Sequence, residues 1–277
     1  MDAFPSAPPA PQLSVVVPVF EEEENLEPLL REIDAALAGL DYELVLVDDG
    51  SRDGSRAALE RLLPAWPRLR VLLHDRNHGQ SAALLTGFAA ARAPVIATLD
   101  GDLQNDPADV PRLLALLDAG WDVVSGVRAR RRDDFVRRAS SRIANRVRGG
   151  LLEDGISDVG CSLKVYRAAC LRRLPPFHGM HRFLPALARL EGARVTEVPV
   201  AHRPRRYGRS KYGIGNRLWR GLADLLGVWW LKHRWVRVER VEELARAVGP
   251  GAVEAAVAQR PDAPAGSPAA AVLLPRG

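Results

Sequence analysis

Apolar residues along this chain recur with two different periods. Short β-branched runs at Leu13–Val19, Glu43–Val47, Arg70–Leu73, Val95–Leu99 and Asp122–Ser125 read as buried strands. Between them, apolar positions fall at helical spacing over Asn25–Ala38, Ser55–Leu63, Ser81–Ala91 and Pro107–Asp118, the first ending at Gly39. Strand–helix alternation of this kind predicts an α/β fold: an open, mostly parallel, Rossmann-like sheet flanked by helices. The pattern loosens later. Phe135–Leu152 is a basic helical segment, Cys161–Tyr166 and Arg194–Val200 read as strands, and Arg182–Leu190 and Ile214–Trp235 as helices. In open α/β sheets, ligands bind beyond the carboxyl ends of the strands. That rule directs attention to the loops after Val17, Val47 and Leu99.

With 277 residues, 47% hydrophobic and 26% charged, the composition is that of an ordinary globular protein. The formal net charge of +5 conceals an asymmetry. Met1–Gly120 holds 9 basic and 20 acidic residues and carries −11; Trp121–Gly277 holds 30 basic and 14 acidic residues and carries +16. An acidic front and a basic rear suggest a site assembled from both, or an anionic partner for the rear. All the basic residues except Lys164, Lys211 and Lys232 are arginine, so a retained lysine stands out. Cys161 and Cys170 have neither metal nor framework spacing, which points to a reducing compartment. The Pro-rich start has no signal-peptide pattern, and no stretch has the ~18 charge-free apolar residues of a transmembrane helix. The expected division is a disordered 1–12, a folded domain 13–212, amphipathic helices 213–247 and a disordered Ala/Pro-rich tail 248–277.

After the first strand comes Pro18-Val19-Phe20-Glu21-Glu22-Glu23-Glu24-Asn25, with no glycine for a dinucleotide turn and no Gly-Lys for a P-loop. By itself this reads as a helix start with acids set against the dipole. Val47-Asp48-Asp49-Gly50-Ser51 closes the second strand. Its carboxylates suit a base or ribose, or simply a polar turn in which Ser51 or Asp53 caps the next helix. The fourth strand runs into Asp100-Gly101-Asp102-Leu103-Gln104. Carboxylates two residues apart around a glycine can converge on one hard cation, Mg²⁺ or Mn²⁺, with Gln104 adding an amide oxygen. Each loop alone is an ordinary turn. All three fall on one sheet edge, and that coincidence argues for a site. The six histidines form no metal set, and His178 and His181 read as structural.

In combination and order, these segments resemble the inverting family 2 glycosyltransferases of GT-A fold. Val124-Ser125-Gly126-Val127-Arg128, Arg137-Arg138-Ala139-Ser140-Ser141 and Asp158-Val159-Gly160-Cys161 narrow the likeness. So do Val198-Pro199-Val200 and Arg205-Arg206-Tyr207-Gly208-Arg209-Ser210-Lys211-Tyr212. Together they are similar to the polyprenyl-phosphate sugar transferases, such as dolichyl-phosphate mannose synthase and its bacterial undecaprenyl-phosphate relatives. The resemblance spans Leu13 to Trp235. It implies a nucleotide pocket lined by Pro18, Phe20 and Glu22, with Val47 and Asp49 at the nucleoside. It implies Asp100, Gly101, Asp102 and Gln104 at the metal and diphosphate, with Arg128, Arg205 and Lys211 as cations around that diphosphate. It assigns catalysis to Asp102, Arg128 and Lys211, and the lipid phosphate to Arg137 and Ser141. Many relatives have Tyr where this chain has Phe20, which keeps stacking and loses a phenol hydrogen bond.

The implied reaction is inverting transfer of a hexose, foremost mannose from GDP-mannose or glucose from UDP-glucose, to a polyprenyl phosphate, with other hexoses or a modified pentose left open. Asp158 is the one carboxylate base that a saccharide- or protein-hydroxyl acceptor would have available. An Arg-rich nucleic-acid or membrane adaptor leaves the strand-end acids unexplained, and no nucleic-acid module is recognisable. Leu218–Leu231 carries tryptophans and is followed by Lys232-His233-Arg234-Trp235, a pattern suited to a helix lying in a bilayer interface. Packing on the protein's own core, or across a homo-oligomer, is the other reading of that helix. Residues 202–240 hold 11 basic and 2 acidic side chains, which suits an anionic lipid surface. The expected location is the cytoplasmic face of the cell membrane, held peripherally.

Overall fold

The computed structural model describes residues 10–128, 148–207 and 215–236, with backbone alone for 215–220. Seven strands form one sheet: β1 (Leu13–Val19), β2 (Tyr42–Asp48), β3 (Leu69–Leu73), β4 (Val95–Thr98), β5 (Val123–Arg128), β6 (Lys164–Arg167) and β7 (Val195–Val200). Its order is β3-β2-β1-β4-β6-β5-β7. Every neighbouring pair is parallel except those of β6, which runs against both β4 and β5. The helices are α1 (Glu23–Ala36), α2 (Ser55–Leu62), α3 (Gln80–Ala90), α4 (Val110–Asp118), α5 (Leu184–Leu190) and α6 (Gly215–Arg234). This is the mixed α/β, mostly parallel architecture that the periodicity predicts.

The near-continuous apolar runs of β1 and β2 follow from burial on both faces. Alternate side chains point to opposite layers. Val15, Val17, Leu44 and Leu46 join the core beneath α1, α2 and α4, with Leu26, Leu59 and Leu113. Val16, Val45 and Val47 face the other core, with Ala83 of α3, Leu187 of α5 and both Leu225 and Val228 of α6. Three layers result, and α6 belongs to the compact unit that extends to Trp235. No described helix is long and apolar enough to cross a membrane.

Element boundaries shift where local chemistry competes. Asp106 accepts from the Ala108 amide, so the fourth helical pattern opens as a 3₁₀ turn at Pro107–Asp109 before α4 begins. A similar turn at Met180–Arg182 precedes α5. β6 is shorter than Cys161–Tyr166 because Ser162 leaves the ladder: its carbonyl accepts from Thr98 Oγ1 at 2.6 Å, and its hydroxyl donates to Asn105 Oδ1 at 2.7 Å.

Candidate active site

The carboxyl ends of β1, β2 and β4 open onto one pocket. Pro18, Val19, Phe20 and Glu22 line it from the first loop, Asp49 from β2, and Asp100, Gly101 and Asp102 from the β4 loop. Asn77, Gln80 and Ala83 close it from the start of α3, and Arg205 from the chain after β7. The first two loops are laced together. Ser51 Oγ accepts from the Glu21 amide at 2.8 Å, and Ser55 Oγ from the Glu22 amide at 2.9 Å. Ser51 therefore ties two loops together rather than capping α2. Gly50 has φ +71°, and a Cβ there would stand 2.3 Å from the Arg76 carbonyl carbon.

The acids after β4 are tightly organised. Asp100 accepts from Gln80 Nε2 at 2.9 Å, and its backbone amide donates to Asn105 Oδ1 at 3.2 Å. Burial, and then the charge of Asp102, push the Asp100 carboxyl up to about 6; Ser162, Lys164 and Arg128 pull the other way. Asp102 is buried; its Oδ1 accepts from the Gln104 amide at 3.2 Å and its Oδ2 from Arg205 Nη2 at 2.8 Å. Arg205 Nη1 also lies 3.1 Å from Glu22 Oε1. Burial works against the Arg205 charge, but Asp102 and Glu22 outweigh it and raise the guanidinium. Leu103 holds φ +61°, strained for a branched residue, with its side chain anchored in the core. That reversal sends the Gln104 amide back to Asp102.

The sequence-predicted residues divide into three groups. Pro18, Phe20, Glu22, Asp49, Asp100, Gly101, Asp102 and Arg205 share the pocket. Val47 lies in the core, supporting the site from below. Gln104 spends its amide nitrogen on the Arg203 carbonyl at 3.3 Å. Arg128 turns to Asp158 in a bidentate pair, Nε to Oδ2 and Nη2 to Oδ1 both at 2.7 Å. Arg137, Ser141 and Lys211 lie outside the described residues.

Asp49 is held from three sides: His74 Nδ1 at 2.7 Å, the His78 amide at 2.9 Å and the Gly79 amide at 2.7 Å. His181 meets Ser81 Oγ at 2.8 Å, so these histidines have structural partners. Asn77, Gln80 and His74 escape sequence reading because attention falls on the acid-rich ends of β1, β2 and β4; the end of parallel β3 lies on the same sheet edge. Lys164 is buried, donates to the Cys161 carbonyl, and is lowered by burial against the pull of Cys161, Asp100 and Asp158. Its isolation among arginines is the one sequence clue. Glu197 of β7 takes the amides of Ser157 and Asp158 and the Ser157 hydroxyl, which fixes the loop that holds Arg128.

Among the described residues no three His, Cys, Asp or Glu side chains cluster as a ready metal cage. Two carboxylates at one mouth, Asp100 and Asp102, with burial and then the charge of Asp102 lifting Asp100, still fit a hard divalent cation that completes its shell with water and phosphate.

Similarity to known proteins agrees with this geometry. Solved structures of glucosyl-3-phosphoglycerate synthase from Mycobacterium tuberculosis share the fold. The complex with UDP aligns over 79% of this chain and 80% of that one, with TM-score 0.62 and 22% identity. Another, holding Mn²⁺, UDP and glucosyl-3-phosphoglycerate, aligns over 80% and 79%, with TM-score 0.61 and 20% identity. Among curated proteins, the undecaprenyl-phosphate 4-deoxy-4-formamido-L-arabinose transferase of Klebsiella pneumoniae is 40% identical over 75% of this chain and 64% of its own length. The enzyme of that name from Pseudomonas fluorescens is 42% identical over 72% and 60%. The chain thus spans less than two thirds of these relatives. The profile described as Glycosyl transferase family 2 matches residues 14–174. With the GT-A sheet and its acid loop in place, the chain belongs to glycosyl transferase family 2.

Proposed function

We propose that the protein transfers a sugar, with inversion, from a nucleoside-diphosphate sugar to a polyprenyl phosphate. The observation that carries this reading is the juxtaposition of Asp100 and Asp102 with Arg205 and Glu22 at the carboxyl edge of the sheet. Asp49 and the loop around Asn77 receive the nucleoside, and Phe20 offers a stacking face. Asp100 and Asp102 hold Mg²⁺ or Mn²⁺, which when bound neutralises charge on the departing diphosphate. Arg205 adds a guanidinium fork to the same phosphates. A phosphate monoester is already anionic near neutral pH. It needs orientation more than a base, and Arg137 and Ser141 supply it. One in-line displacement inverts the anomeric centre.

The names of the curated relatives favour a modified pentose over the hexose expected from sequence. A donor panel should therefore include a 4-deoxy-4-formamido-pentose beside mannose and glucose. A hydroxyl acceptor needs a free carboxylate base, and both oxygens of Asp158 are engaged by Arg128. That observation favours the phosphate acceptor.

The outer face of α6 supports peripheral attachment. Leu222, Leu226, Trp229 and Trp230 are exposed along the helix beside the buried Leu225 and Val228, and Lys232, His233 and Arg234 end the helix. Incubation of the purified protein with labelled nucleotide sugar, Mg²⁺ and polyprenyl phosphate tests the whole reading. Label should enter a lipid that releases sugar in mild acid, and label confined to polymer would sink it. Asp102→Asn should lower turnover at least ~100-fold with unchanged near-ultraviolet circular dichroism.

A further inference from the structure

The segment after β7 meets the acid loop at two places of different character. Its stem is pinned. The Arg203 amide donates to the Gln104 carbonyl at 2.8 Å, its carbonyl accepts from Gln104 Nε2 at 3.3 Å, and His202 bridges to Asn105. The Arg203 guanidinium is clasped by Glu32 and Asp106, each at 2.6 Å. Arg205, two residues on, reaches the pocket only through its own side chain. A long side chain on a fixed stem changes partners by rotamer, without moving the backbone.

Both oxygens of Asp102 are already engaged. Oδ1 takes the Gln104 amide and Oδ2 takes Arg205 Nη2, while Arg205 Nη1 holds Glu22. A divalent cation on Oδ2 would have to share that atom with the Arg205 guanidinium, two like charges on one ligand oxygen. A diphosphate resolves that contest, because its oxygens offer a second seat to both cations and match the arginine fork.

We propose that Arg205 occupies the cation's place on Asp102 and surrenders it to a nucleoside diphosphate, so that metal binding is conditional on the nucleotide. This rests on the reading of Asp100 and Asp102 as the metal site. Donor and cation then assemble together, and a cation alone cannot fill the site and block it. By linkage the coupling is reciprocal: the cation strengthens nucleotide binding by the factor the nucleotide strengthens the cation.

Titration of the full chain with Mn²⁺, followed by the paramagnetic resonance of the free ion, tests it with and without UDP or GDP. Without nucleotide, Arg205→Gln should hold Mn²⁺ about tenfold more tightly than the parent, within the usual range of such couplings. Arg205→Lys keeps the charge and should stay within about twofold of the parent. Equal Mn²⁺ affinity in Arg205→Gln and the parent overturns the proposal. Asp102→Asn in the same titration separates the two layers. Lost Mn²⁺ binding there supports the site, and unchanged binding removes the metal site itself and the proposal with it.

Discussion

Asp100 has to be charged to hold a cation, yet its surroundings resist that charge. Its carboxyl sits at about 6, above the ordinary carboxylate range, because it is desolvated and lies beside the charge of Asp102. A raised acid stabilises the fold below its unfolded value, near 4, and that contribution is lost as pH rises through about 6. Asp100→Asn should therefore stabilise the protein at pH 8 by roughly 1–3 kcal/mol, with the gain gone by about pH 4. Denaturant unfolding across that range reads it directly. Sugar transfer should fall in the opposite sense, as wild-type Asp100 protonates below about pH 6. Gly50 makes a second residue-level case. Its φ is +71°, and the Arg76–Asn77 backbone would lie 2.3–2.7 Å from an added Cβ, which leaves no room for a methyl group. Gly50→Ala should cost roughly 2 kcal/mol or more in denaturant unfolding and weaken nucleotide binding, since Asn77 lines the pocket. The acids of this site were legible in sequence because they directly follow apolar strands. The pairing of Arg128 with Asp158, and the grip of Glu197 on Ser157, were not, because each joins residues thirty or more positions apart.

At the scale of elements, β1 was legible to the residue, because a strand buried on both faces is apolar throughout. The direction of β6 was not, since period-2 patterning is the same for parallel and antiparallel strands. Helix α6 resolves a question that its sequence leaves open. Leu225 and Val228 are buried in the core, while Leu226 and Trp230 are 51% and 58% exposed. The helix is apolar on two faces, and its own core explains only one. Replacing Leu226 and Trp230 with Glu should leave unfolding unchanged within about 0.5 kcal/mol, as for exposed sites generally. The same change should abolish co-sedimentation with vesicles containing anionic lipid. Retained vesicle binding would assign these exposed residues to another partner.

For the whole molecule, the split of −11 and +16 acquires a location. The acidic front contributes Asp49, Asp100 and Asp102 to the pocket, and the basic rear reaches across with Arg205. The reversal of β6 has a further consequence. β5 ends at Arg128 on the carboxyl edge, and β6, running the other way, begins at Lys164 on that same edge. The connection between them therefore starts and ends at one rim of the sheet, and its described part, 148–163, is tied back into the core through Leu152, Ile156, Cys161 and Leu163. On the proposed function, the donor half sits on the strand ends, while the residues proposed for the acceptor phosphate, Arg137 and Ser141, fall in sequence within this connection. Grafting only residues 129–147 from a relative with a different acceptor should change what receives the sugar and leave nucleotide affinity where it was.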